Sequence, residues 1–199
     1  MITRSSLLRL FVLILLGWSA SLRAADISQA VILVAKPGLR DALYGSTVLI
    51  ARPVGPGEHV GFIVNRPTRF TLGKLFPDHA QARKVLDPVY LGGPINSQLI
   101  FALVQRHDSP GGSSFQLMPD LFVAFEAETV DRIIEAEPDR ARFVAGLVAW
   151  RAGELREEIE RGLWYVLEPD AALALRKPTE GLWEELVRRS EQAAKRRST

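Results

Sequence analysis

Histidines, acids and glycines are the residues from which this chain of 199 amino acids could draw chemistry. There is no cysteine, which removes disulfides, thiolate metal sites, iron–sulfur clusters and cysteine nucleophiles together. The histidines are His59, His79 and His107, and no two stand three or four residues apart, so a helical zinc motif is absent. All three read as surface residues in loops or at loop ends. His107-Asp108-Ser109 places triad letters in a row, but adjacency in sequence is not the facing geometry a nucleophile and its base require. A G-x-S-x-G elbow is missing. Gly55, Gly57, Gly92, Gly93, Gly111 and Gly112 form neither known phosphate cradle, so nucleotide binding by those routes is unsupported. Gly92-Gly93-Pro94 reads as a turn whose backbone angles suit glycine. Glu154, Glu157, Glu158 and Glu160 read as a solvated helix face. For Asp41, Glu154 or Glu158 to act as acid or base, with Lys36 or Arg66 holding an anionic substrate, those side chains must converge in one pocket. No cofactor or metal is implied.

The elements that would position these residues change character along the chain. VILVAK (31–36), STVLIA (46–51) and VGFIVN (60–65) are β-branched runs bounded by Pro and Gly, the last two a hairpin with a long loop. Pro67 stops the third run, and 71–76 predicts a helical turn. PVYLGGP (88–94) is a strand. LIFALVQ (99–105) and FQLM (115–118) flank a Gly- and Ser-rich tip and predict a second hairpin, and 121–125 is a further strand. Helical spacing then takes over at 129–135. Pro138 suits the first turn of a helix running to Trp150, with Phe143, Val144, Leu147 and Val148 as its stripe. A break or cap at Gly153, a helix from Leu155, a strand over 164–167 and a helix opened by Thr179 complete the chain. Trp150, Trp164 and Trp183 read as core aromatics. Asp41 suits a capping position, and Asn65 a left-handed bend. Strands first and helices later predict an α+β fold.

Residues 1–24 read as a secretory signal. Arg4 and Arg9 precede the apolar run LFVLILLGW (10–18), small residues follow, and a cut after Ala24 fits. That run is shorter than the roughly 18–20 residues of a membrane span. The expected organisation is therefore a signal over 1–24 and a single domain over 25–199 with a basic tail, 188–199. Residues 1–24 hold Arg4, Arg9 and Arg23 and no acid, so removing them takes the formal net charge from +2 to −1. Nucleic acid is not an expected partner at that charge. The expected location is the periplasm. The alternatives are an anchor formed by an uncut 10–22, through which alone the membrane would be touched, and a cytoplasmic location.

Four ordered motifs then resemble the YqgE/AlgH family. Ala35-Lys36-Pro37, Leu39, Asp41, Tyr44 and Ser46-Thr47-Val48 resemble its A-x-P-x-L-x-D opening. Gly61–Pro67 (GFIVNRP) resembles its G-[LI]-[IV]-[IL]-N-[RK]-P, and Val89–Pro94 its V-x-x-G-G-P. Ala149–Leu155 (AWRAGEL), with Glu158 and Trp164, resembles its G-W-x-x-G-Q-L-x-x-E block. Lys36 stands where the family commonly has Met, and Glu154 where it has Gln. The resemblance implies a unit of coiled mixed sheets with helices outside. The family is usually cytoplasmic, and one branch is named for a link to transcriptional regulation of exopolysaccharide production. The expected function is a non-enzymatic binding or regulatory module of the cell envelope with a protein partner there. Its surface would comprise Lys36, Pro37, Asp41, Asn65, Arg66, Gly92, Gly93, Trp150 and Glu154. A cytoplasmic transcription-linked regulator and an enzyme with an acid/base site are the alternatives.

Overall fold

The structure, a computed structural model, describes residues 26–197. The expected signal segment 1–24 lies outside the described residues. The apolar runs of the first half form β1 (Val31–Ala35), β2 (Val48–Pro53), β3 (His59–Ile63), β4 (Pro67–Thr71) and β5 (Pro88–Leu91). They are followed by β6 (Ile95–Gln105), β7 (Ser114–Met118), β8 (Leu121–Ala124), β9 (Ala141–Trp150) and β10 (Trp164–Leu167). These strands make one coiled sheet in the order β10-β1-β2-β3-β9-β6-β8-β7, with β4 on β5 and β5 on β9. The pairing is antiparallel apart from β5 with β9, so the sheet is mixed. Helices α1 (Leu72–Leu75), α2 (Ala127–Ala136), α3 (Glu154–Glu160), α4 (Ala171–Leu175) and α5 (Leu182–Arg197) lie around it. The α+β expectation holds.

The segment expected as a helix over 138–150 is the central strand β9, preceded only by a 3₁₀ turn at Pro138–Arg140. Successive side chains of a strand point to opposite faces. Here both faces are covered: Val144 joins the cluster of Ile32, Phe62 and Leu103, while Phe143 joins that of Val104, Phe122 and Ile133. A strand buried on both sides loses its period of two and reads as an unbroken apolar run, which also satisfies helical spacing. The same strand explains the failed second hairpin. β6 pairs with β9 and β8, and β7 pairs with β8, so β6 and β7 are not partners.

β9 is the hinge of the sheet. Its first part lies beside β5 (Tyr90↔Val144) and β6 (Phe101↔Val144), and its last part pairs with β3 (Gly61↔Val148). The helices close the two faces. α2 lays Val130, Ile133 and Ile134 on the β6–β8 side, and α5 lays Leu182, Leu186 and Val187 on the β1–β2 side. Each such fully buried aliphatic side chain contributes about 1.5–3 kcal/mol relative to exposure. Among the described residues no helix is long and apolar enough to cross a membrane.

Candidate functional site

The first and second motifs meet at the β1–β2 connection, residues 36–47. Asp41 caps it as expected: its Oδ1 accepts from the backbone N–H groups of Leu43 and Tyr44, both at 2.8 Å. Those bonds, Tyr44's first, hold the Asp41 carboxyl below its usual value. Asn65 does not sit in a left-handed bend. Positive φ falls on Ser46 instead. Asn65 Nδ2 donates to the Ser46 carbonyl at 3.0 Å, and its Oδ1 accepts from Val48 N–H at 2.8 Å. Arg66 donates to the carbonyls of Ala42 (3.1 Å) and Gly45 (2.8 Å). Asn65 and Arg66 therefore supply the donors and acceptor that a loop with no ladder of its own lacks. Lys36 places its Nζ 5.0 Å from the centre of the Tyr165 ring, and Pro37 is exposed beside it.

Gly92 and Gly93 are buried and have no positive φ. Their requirement is space. A Cβ on Gly92 would lie 2.3 Å from the Gly146 carbonyl oxygen, and one on Gly93 would lie 2.2 Å from the Leu147 carbonyl. Gly92 also accepts from Ile63 N–H and donates to the Ala145 carbonyl, both at 2.8 Å, so it locks β3 to β9. The Gly-Gly-Pro motif marks a crossing of backbones rather than special turn angles.

The fourth motif surrounds α3. Gly153, at φ +90, begins that helix, and Glu154 Oε2 accepts from Arg151 N–H at 2.8 Å. Glu158 is not a solvated carboxylate: its Oε2 accepts from the indole N–H groups of Trp150 (3.0 Å) and Trp164 (2.8 Å). Both tryptophans are core residues, as expected. Replacing Glu158 with alanine leaves both donors without an acceptor and is expected to cost about 2 kcal/mol in urea unfolding. Glu158→Gln keeps a carbonyl oxygen at the same reach and is expected to lose less than half of that. Equal losses for the two variants would overturn this role.

These residues do not all line one hollow. Trp150 and Glu154 line a hollow of about 680 Å³ with Val54, Ile95, Phe115 and Arg151. Asp41, Glu158, Lys36 and Arg66 do not line it, and each of the acids has its own partner described above. Tyr44 lies within electrostatic reach of both acids: its hydroxyl is pushed above its usual value by burial and then by Glu158 and Asp41, and Arg66 in turn acts on Asp41. His59, expected at the surface, is buried at the start of β3, with Nε2 2.9 Å from the Ile27 carbonyl oxygen and Nδ1 3.3 Å from that of Gly57. His107 is at the surface beside Asp120. Half-buried His79 lies 3.9 Å from Asp131. Among the described residues no group of three or more His, Asp or Glu could hold a metal.

A feature outside the motifs is an open groove of about 440 Å³ beside α1. Val89, Ile100 and Ala145 line it together with Phe70, Leu75 and Phe76. The last three are large apolar side chains left 39–42% exposed. Sequence reasoning missed it because Pro67 was read as ending the strand region, whereas Pro67 opens β4, an edge strand where its missing N–H is tolerated. The available signal was Phe70 placed between Arg69 and Thr71, beyond that proline.

The comparisons agree with this fold. A UPF0301 protein of Chlorobium luteolum is 30% identical over 160 residues, 79% of this chain and 82% of that protein. One from Saccharophagus degradans is 30% identical over 156 residues, covering 76% of each. The solution structure of the AlgH protein from Pseudomonas aeruginosa superposes with a TM-score of 0.66 at 23% identity, covering 85% of this chain and 89% of that one. A crystal structure of a Corynebacterium diphtheriae protein gives 0.67 at 20% identity, covering 82% and 87%. The AlgH-like family model matches residues 32–195, which take in all four motifs and all ten strands but the first residue of β1, and the chain belongs to that family.

Proposed function

We propose that the protein is a non-enzymatic binding module of the cell envelope. One observation carries the reading: Asp41, Asn65, Arg66 and Glu158 are engaged in internal hydrogen bonds, while large apolar side chains stay exposed around a groove. Catalysis needs polar groups free to meet a reacting atom, whereas binding needs apolar area that a ligand or partner can cover. The envelope part of the reading is supported by residues 1–24, in which Arg4 and Arg9 precede an apolar run followed by small residues, the composition of an export signal.

The test is expression of the full-length chain in a Gram-negative host, followed by cell fractionation and intact mass. A periplasmic species beginning near Ala25 is expected. An uncut species in the cytoplasm would overturn the envelope assignment and favour a cytoplasmic transcription-linked role. Such a role would further require salt-dependent binding to duplex DNA.

A further inference from the structure

The groove beside α1 has an apolar floor, neutral polar side chains at Thr68, Ser97 and Gln98, and cations outside its lining on the stretch that builds its walls. Val89, Ile100 and Ala145 supply the floor, and Phe70, Leu75 and Phe76 stand as walls. The stretch that builds the walls also carries Arg69, Lys74, Arg83 and Lys84, all exposed, and Asp78 is its only acid between residues 69 and 86. Among the described residues none of these four cations lies within 4.0 Å of a carboxylate. Arg69, Lys74 and Arg83 are held against the stretch that builds the walls. The Arg69 guanidinium sits 5.2 Å from the centre of the Phe70 ring. Lys74 Nζ reaches the Arg69 carbonyl at 3.5 Å, and Arg83 donates to the Pro77 carbonyl, next to Phe76, at 2.6 Å.

We propose that this groove binds a single-chain anionic amphiphile of the fatty-acid type. The acyl chain lies between Phe70, Leu75 and Phe76, and the anionic headgroup meets Arg69 and Lys74. This deepens the binding-module reading and rests on it. Charge complementarity selects the ligand. Cations flanking the walls and without carboxylate partners attract an anion, and apolar walls reward an alkyl chain by roughly 0.8 kcal/mol per buried CH₂. The volume suits one chain rather than a lipid pair, being at the lower end of the roughly 300–1,000 Å³ of small-molecule sites. A folded protein partner would cover a wider surface than this groove offers.

The probe is dodecanoate below its micelle concentration, added to a ¹⁵N-labelled chain begun at Ala25. That chain keeps every described element, since all lie within residues 31–197, and it contains the whole stretch matched by the family model. Saturable amide shifts confined to residues 68–76, 89 and 97–100 are expected, with weaker binding of dodecyl maltoside. Phe76→Asp and the double variant Arg69→Glu/Lys74→Glu change exposed side chains. Each is expected to weaken dodecanoate about tenfold with the remaining spectrum unchanged. The double variant leaves dodecyl maltoside binding as it was. Absence of saturable shifts overturns the proposal, as do shifts spread over every apolar surface. Shifts that follow protein concentration alone would assign the groove to a second copy, and binding only to anionic vesicles would assign it to a bilayer. Either result overturns it too. Failure here in a chain that is exported sinks the ligand and leaves the envelope assignment standing.

Discussion

Gly93→Ala is expected to abolish the soluble fold, or to lower unfolding stability by more than about 4 kcal/mol where folded protein is recovered. The new Cβ would stand 2.2 Å from both the carbon and the oxygen of the Leu147 carbonyl and 2.6 Å from Val148 N. Flexible side-chain ends can yield at such distances, but these are backbone atoms of β9, the strand that joins β3, β5 and β6. Moving them breaks ladders on both sides. The neighbouring chain has already made the concession that is available: Gly146 takes φ +74, and a Cβ there would meet the Gly93 carbonyl oxygen at 2.4 Å. Two glycine-bearing backbones therefore cross in contact. Gly38→Ala is the matched control. Nothing lies within 4 Å of a Cβ at that position, so its urea midpoint is expected to stay within about 0.5 kcal/mol of the parent. Comparable losses in the two variants would overturn the crossing as the reason for the motif.

That contrast bears on function. Family motifs concentrated at turns suggest a displayed surface, because loops are where binding residues usually sit. Here the motif loops are instead the fasteners of the sheet. Asn65 and Arg66 tie down the 36–47 loop, Gly92 and Gly93 permit a crossing, and Glu158 gathers two indoles. Subtracting these, together with Asp41, which caps the same loop, leaves Lys36, Pro37, Glu154 and the largely buried Trp150 of the candidate surface and moves attention to the groove beside α1.

Much of the fold was legible because many elements carry their signal locally. The strand over 164–167 is β10 as read, the 46–51 and 60–65 runs pair as β2 and β3, and the helix opened by Thr179 is α5, with Leu182, Leu186 and Val187 buried and Trp183 half-buried. β9 was not legible because its environment is set by distant strands. Nothing within residues 141–150 says that both faces will be covered. His59 was misplaced for the same reason: its burial depends on Ile27, far away in sequence. The motifs located the residues that matter to the architecture, but their partners decide between scaffold and site. A carboxylate such as Glu158 reads identically in sequence whether it faces water or two indoles.

Arg142→Ala is the second large effect expected, a loss of about 4 kcal/mol in denaturant unfolding. Arg142 is a fully buried cation on β9, 1% exposed, in an otherwise apolar run. Burial pushes its guanidinium below the usual arginine value, with Tyr90 and Asp87 offsetting part of that. It has no carboxylate in ion-pair contact among the described residues. Instead it donates to the carbonyls of Val64 and Arg176 and lies 4.3 Å from the centre of the Tyr90 ring. One side chain thus ties the end of β3, the face of β5 and the link between α4 and α5. Lys177, next to Arg176, adds a bond to Asp87 on the approach to β5. Alanine would leave two carbonyls unpaired and a void where the guanidinium stacked, about 1–3 kcal/mol for each unsatisfied group before the void is counted. Relief from burying a charge works in the opposite direction in both this variant and Arg142→Met, and methionine removes the void from the comparison. Methionine fills most of the void and carries no charge, so its loss, expected near 2 kcal/mol, reports the unpaired carbonyls net of the relief from burying a charge. Lysine keeps the charge but cannot fork between two carbonyls while lying flat on Tyr90, so Arg142→Lys is expected to fall between methionine and alanine. If methionine matched or exceeded the parent, the buried charge would be a net burden, and the C-terminal helices would be held by the apolar contacts of Leu182 and Leu186 instead.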